Sequence, residues 1–208
     1  MRPERIAVEL RRAMLAGEIA PGAELIQAEL AERFAVSRIP IRDALRLLAE
    51  NGLVEIEPNR GARVITLSAE EVAELFDLRI LLECDCLKRA AVRIDAAMIA
   101  QIDRIRRKSD LDAATPEWSA GDWRFHEALY APARRPRQTK LIEGLRQTCE
   151  LFVAAYRSLP DRTSDWLRDH ALIVEALARG DTGSAEVTLR RHLEAAKAHL
   201  VAAMTGER

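Results

Sequence analysis

Apolar positions recur every three or four residues along most of this chain, the period of a helix with one buried face. The first such segment is 4–16, with Ile6, Leu10, Ala13 and Met14 on one side. Gly17 and then Pro21-Gly22 stop it. A second short helix is predicted over 27–34, carrying Leu30 and Phe34, and a tight connection through Ala35-Val36-Ser37 follows. Ser37 is placed to cap a third helix over 38–50, with Pro40 in its first turn, where a missing N–H costs nothing. Asn51-Gly52 ends that helix. The period then changes. Residues 53–57 and 62–66 partly alternate around Pro58-Asn59-Arg60-Gly61, which predicts a β-hairpin, the only β structure the pattern supports. Beyond it, Ser68-Ala-Glu-Glu71 is a capping box. Helical period then holds near 69–93, 95–109, 116–131, 137–158, 163–179 and 182–204.

The fold class that follows is mainly α. A winged helix-turn-helix of three helices plus a β-hairpin wing occupies 1–66, residues 67–68 link, and an all-α helical bundle occupies 69–208. Composition narrows the function classes. The 208 residues carry 32 basic and 33 acidic side chains, a net charge of −1, so a generally basic nucleic-acid coat and a polybasic membrane anchor are excluded. Hydrophobic residues make up 49% and charged residues 31%, which is the balance of a soluble globular chain. No apolar run approaches a membrane span, and the opening residues lack the apolar core of a signal peptide, so a cytoplasmic protein is expected. The 3 cysteines fit a reducing compartment. Cys84 and Cys86, two apart on a helix, point to opposite sides and are expected to pack rather than chelate.

Candidate chemistry in the first module lies on the third helix. At 100° per residue, Ile41, Ala44, Leu45 and Leu48 cluster on one side, and Arg38, Arg42 and Arg46 form a stripe roughly 110° away. The apolar side seats the helix, and the arginine stripe then suits a major groove, where a guanidinium fork can bond guanine or phosphate. The plainer reading is a solvated arginine face, and Asp43 trims its charge. Residues 1–66 hold ten arginines against ten acids, so no broad basic field supports DNA binding. Arg60 and Arg63 lie on the predicted wing, with Gly61 at its tip.

In the bundle, Asp122 and His126 are four apart and share a helix face, while His170 and His192 lie on two other predicted helices. A bundle can aim these four side chains at one point. Three imidazoles and a carboxylate suit Zn²⁺, Ni²⁺ or another first-row divalent ion, although such a pair is also common as a plain surface pair. His199, two turns beyond His192, is expected at the surface or bundle end.

The run PGAELIQAELAERFAVSRIPIRDALRLLAENGLVEIEPNRGARV, residues 21–64, closely resembles the N-terminal domain of GntR-family bacterial transcription regulators. The resemblance implies a DNA-binding set of Ser37, Arg38, Arg42 and Arg46 on the helix, with Arg60 and Gly61 on the wing. Ile39 stands where that family usually has Thr, and Ala28 where some members carry Arg, which bears on operator choice. Asp122-Trp-Arg-Phe-His126, then Asp169-His170 through Asp181, then Arg191-His192-Leu193 resemble the motifs of the FCD domain, the effector module of the FadR-like branch. That resemblance implies divalent metal binding by Asp122, His126, His170 and His192, and an effector-facing Arg79 in the Leu78-Arg79-Ile-Leu-Leu-Glu83 stretch. The alternative for Arg79 is an i,i+4 pair with Glu83. Where the family usually has Gly-Asn after the metal helix, this chain has Arg134-Arg135.

The function so implied is a ligand-responsive regulator. Two copies form a homodimer on a pseudo-palindromic double-stranded operator, and a small carboxylate effector bound near the metal relieves repression. A regulator for which the metal ion itself is the signal is the alternative. A metal-dependent hydrolase is the reading from another class, but no HExxH or paired-carboxylate motif supports it. No catalytic residue is expected.

Overall fold

A computed structural model of the chain describes residues 1–57, 61–113, 118–156 and 163–206. Its elements run α1 (Pro3–Leu15), β1 (Glu24–Leu25), α2 (Gln27–Arg33), α3 (Arg38–Glu50), β2 (Val54–Glu57), β3 (Gly61–Val64), α4 (Ala69–Ala91), α5 (Ala96–Leu111), α6 (Trp118–Tyr130), a short 3₁₀ turn (Ala131–Ala133), α7 (Pro136–Tyr156), α8 (Thr163–Ala178) and α9 (Thr182–Thr205). By packing they form two units, Met1–Glu71 with Gly144–Arg157, and Val72–Glu143 with Ser158–Arg208. The second half of α7, grouped with the helical bundle by pattern alone, thus packs in the first unit, where Arg11 Nη2 meets Glu150 Oε2 at 3.3 Å.

In the first unit α1 and α2 pack on α3. The buried faces are the periodic ones: Ile6, Leu10 and Met14 from α1, Leu30 from α2, and Ile41, Ala44, Leu45 and Leu48 from α3. The turn between α2 and α3 places Ala35 at φ +51°, a left-handed conformation held by Ala35 N–H to Glu32 O and Val36 N–H to Ala31 O, both 3.0 Å. Ser37 takes the extended N-cap conformation, but its hydroxyl caps nothing. An N-cap oxygen ordinarily accepts from the second or third helical N–H. The third helical residue here is Pro40, which has none.

The wing departs from the expected two strands. β3 is the centre of a three-stranded antiparallel sheet in the order β1-β3-β2. Glu24 and Leu25 of β1 pair with Arg63 and Ala62, while Val54 through Glu57 of β2 pair with Val64 through Gly61. A two-residue strand presents no alternation to detect, which is why the pattern alone missed β1. Gly61 has φ +102°, and a Cβ added there would stand 3.1 Å from the Leu25 carbonyl oxygen.

α4 begins with the capping box, at the end of the first unit's leading segment: Ser68 N–H donates to Glu71 Oε2 at 2.8 Å, and Glu71 N–H to Ser68 Oγ at 3.2 Å. Asp95 and Asp181 cap α5 and α9 in the same way, accepting from Met98 N–H and Ser184 N–H. The core gathers Ile80, Leu87, Phe125, Leu129, Ile173 and Leu189, with others from α4 to α9. Gly121 lets α6 approach α5 closely, since a Cβ there would lie 3.1 Å from Ser109 Oγ. Cys84 and Cys86 are buried in this core, and burial pushes both thiols up to about 11. No helix among the described residues is long and apolar enough to cross a membrane.

Candidate functional site

The first surface of interest is α3. With its apolar face on the other two helices, it leaves Ser37, Arg38, Arg42 and Arg46 exposed together, and Ile39 beside them 63% exposed. Arg42 Nε leans toward Asp43 Oδ1 at 3.6 Å, a loose surface pair that a phosphate or base could displace. Arg60 lies outside the described residues. Arg63, on the wing, makes its contacts within the sheet. It donates to Gly22 O at 2.9 Å and to Glu24 Oε1 at 2.6 Å, so it ties β1 to β3. Gly61 has a structural duty as well, because both its positive φ and the nearby β1 backbone exclude a side chain.

The second site lies inside the helical unit. α6, α8 and α9 bring His126, His170 and His192 together, with ring centroids 4.8–5.7 Å apart. One ring nitrogen from each lies within 4.8 Å of the others, and all three residues are buried. Asp122, one turn before His126 on α6, points its Oδ1 to within 3.5 Å of His170 Nε2 and 3.8 Å of His126 Nε2. The four residues grouped by sequence therefore converge. Phe125 walls the cluster, its ring 4.6 Å from that of His170 and 5.2 Å from that of His126.

The donor set fits a divalent cation. Nitrogens bound to one zinc at about 2.0–2.1 Å stand at most about 4.2 Å apart, so small side-chain rotations suffice to close a group already within 4.8 Å. Three imidazoles and a half-buried carboxylate offer borderline nitrogen and hard oxygen donors, the mixture that zinc and nickel accept.

The surroundings orient these ligands. His192 Nδ1 lies 3.8 Å from Asp169 Oδ2. Burial works to raise the Asp169 carboxyl, but hydrogen bonds with His192 and Arg191 outweigh it and hold the group below the usual carboxylate range. On the other side, His126 Nδ1 is 3.1 Å from the Tyr130 hydroxyl, which donates to Glu83 Oε2 at 2.6 Å. Glu83 Oε1 in turn accepts from Arg79 Nε at 2.8 Å. Arg79 is buried, with its guanidinium carbon 4.8 Å above the Phe76 ring. The i,i+4 pair weighed for Arg79 is thus formed, in the core rather than on the surface. Tyr130 and Asp169 were not singled out from sequence. Tyr130 stands four residues after His126 on the same face, a spacing that could have pointed to it. His199 is half-buried, its ring centroid 6.3 Å from that of Trp166, and outside the cluster.

Two family models match this chain. Residues 3–64 match "Bacterial regulatory proteins, gntR family", and residues 74–195 match the FCD domain. The chain is 34% identical over 196 residues to the HTH-type transcriptional repressor RspR of Escherichia coli K12, covering 89% of this chain and 82% of that one. It is 30% identical over 185 residues to the gluconate operon transcriptional repressor of Bacillus licheniformis, covering 85% and 76%. Its fold is similar to that of E. coli McbR/YncC, with a TM-score of 0.81 at 20% identity over 95% and 96% of the two chains.

Proposed function

The chain belongs to the gntR family of bacterial regulatory proteins and carries an FCD domain, so it is a DNA-binding transcriptional regulator and not an enzyme; from that premise we propose that it is a repressor released by a small carboxylate bound at a divalent-metal site. The observation that carries this reading is the convergence of His126, His170 and His192, buried and within 4.8 Å, with Asp122 alongside. Three such imidazoles stripped of water are costly to assemble unless something repays them. A divalent ion held there would supply positive charge and Lewis acidity toward a carboxylate oxygen. Asp122, His126, His170 and His192 would hold the ion. Arg79, a buried guanidinium on the stretch that resembles the effector-facing family motif, is the residue we assign to the effector's charge.

On DNA, α3 enters the major groove with Arg38, Arg42 and Arg46. Ser37 joins them as a phosphate contact, because its exposed hydroxyl makes no cap hydrogen bond. Gly61 and Arg60 bring the wing toward the backbone. One recognition helix per chain gives too small a footprint for a specific site, so two copies read a pseudo-palindromic operator as a homodimer in the cytoplasm.

The test pairs elemental analysis with gel shifts. About one metal equivalent per subunit is expected in the wild type and none in His126→Ala or His192→Ala. Operator affinity of the metal-loaded protein should fall when a chelating carboxylate is added. DNA affinity that follows zinc concentration with no organic acid present would instead make the ion the signal. Wild-type protein that takes up no metal even after reconstitution would overturn the site.

A further inference from the structure

The buried chain from Arg79 to His126 has a direction, and that direction sets the chemistry of a ligand nitrogen. A guanidinium can only donate, and a carboxylate can only accept. Glu83 therefore spends Oε1 on Arg79 and Oε2 on Tyr130, at 2.8 and 2.6 Å. The single hydroxyl proton of Tyr130 is committed to Glu83. Toward His126, 3.1 Å away, the tyrosine oxygen is then the acceptor, so Nδ1 of His126 carries the hydrogen. A neutral imidazole with Nδ1–H keeps its lone pair on Nε2. That nitrogen is the one 3.8 Å from Asp122 Oδ1, on the side of the cluster. Glu83, Tyr130 and His126 are all 0% exposed, so water does not compete for these bonds.

We infer that Tyr130 and Glu83 are positioning residues that hold His126 in the Nε2-lone-pair tautomer and so tune the affinity of the metal centre. The inference rests on the metal-site reading above and adds residues to it. Glu83 Oε2 stands 3.8 Å from His126 Nδ1, too far for a hydrogen bond, so its hydrogen-bonded hold on the ring runs through Tyr130, 47 residues away in sequence. Arg79 closes the far end, so whatever draws the guanidinium away from Glu83 also loosens the hold on His126. Outer partners of this kind change metal affinity by about 10- to 100-fold when removed.

The experiment uses the full-length, metal-free protein labelled with ¹⁵N at histidine, and Zn²⁺ competed against a chromophoric chelator. In the wild type at pH 8, long-range ¹H–¹⁵N spectra should show His126 Nδ1 as pyrrole-type and Nε2 as pyridine-type. Tyr130→Phe removes the acceptor, so both tautomers should appear and zinc affinity should drop about 10- to 100-fold. Glu83→Gln reverses the chain. Its carbonyl must face the donor Arg79, its NH₂ then faces Tyr130, and the hydroxyl turns to donate to Nδ1. Nε2 should become pyrrole-type, and zinc affinity should fall at least as far as in Tyr130→Phe. Circular dichroism confirms that each variant folds, and His126→Ala sets the baseline for a missing ligand. A wild-type spectrum with Nε2 protonated overturns the inference without any variant. Zinc binding that is lost in His126→Ala but unchanged in both relay variants overturns it and leaves the metal site standing. If the wild type binds no zinc, the metal reading fails, and the nitrogen spectra decide the relay alone: a pyridine-type Nε2 that turns pyrrole-type in Glu83→Gln supports it, and any other pattern overturns it.

Discussion

Replacing Gly61 with alanine tests whether the wing is held by the β1–β3 seam. At φ +102° a side chain costs about 1–2 kcal/mol in steric strain. The added Cβ would also press on the Leu25 carbonyl oxygen at 3.1 Å. That oxygen belongs to backbone, so relief requires β1 itself to move. β1 is short of slack: both its residues pair with β3, Gly22 N–H bonds Val64 O at 3.0 Å, and Val64 N–H bonds Ala23 O at 2.9 Å. Against this, alanine restricts the unfolded chain and returns about 0.4–1 kcal/mol. With about 1 kcal/mol added for the backbone contact, the net expectation is a loss of about 1–2 kcal/mol in local stability, a factor of about 5–30 in the opening equilibrium. Hydrogen exchange of the Gly22 and Val64 amides in the full-length protein reads that factor directly. A parallel gel shift measures operator affinity. Unchanged exchange at both amides would refute the seam argument. Lost DNA affinity with unchanged exchange would place the glycine's value at the DNA contact instead.

Other expectations follow from the same geometry. Arg42→Ala should cost about 1–3 kcal/mol at one operator position if the side chain reads a base, or weaken all sequences alike and lower the salt slope by about 1 if it meets phosphate; equal binding by wild type and variant would remove it from the interface. Adding Zn²⁺ at a hundredfold excess over its dissociation constant should stabilise the metal-free protein by about 2.7 kcal/mol in thermal unfolding, and leave His192→Ala unmoved. Cys84 and Cys86 should resist a thiol reagent at pH 8 until the protein is unfolded, since burial raises both to about 11 from an ordinary 9.0. Over that window the unfolded thiols ionise first and the native state holds more protons, so stability should fall as pH rises from about 9 to 11; a flat profile in denaturant titrations would contradict it.

Local signals were enough for the helices, the capping box at Ser68 and the shared face of Asp122 and His126, because period, caps and four-residue spacing are properties of neighbouring residues. Resemblance to known regulators supplied what spacing could not, the link from those two residues to His170 and His192. Sequence by itself determined the mainly helical class, the apolar face of α3 and the exposed arginine stripe beside it. Tertiary structure decided the rest. β1 exists only because β3 offers it an edge, and a two-residue strand has no period of its own. Arg63 ties strands together because Glu24 lands opposite it. Ser37 takes the N-cap position without making the side-chain cap that helix-start rules alone would have credited. Glu83 and Tyr130 meet only after α4 and α6 pack, and their hydrogen bonds choose the face of His126 that carries the lone pair. A proton's position on a buried ring depends on partners distant in sequence, and folding is what brings those partners within reach.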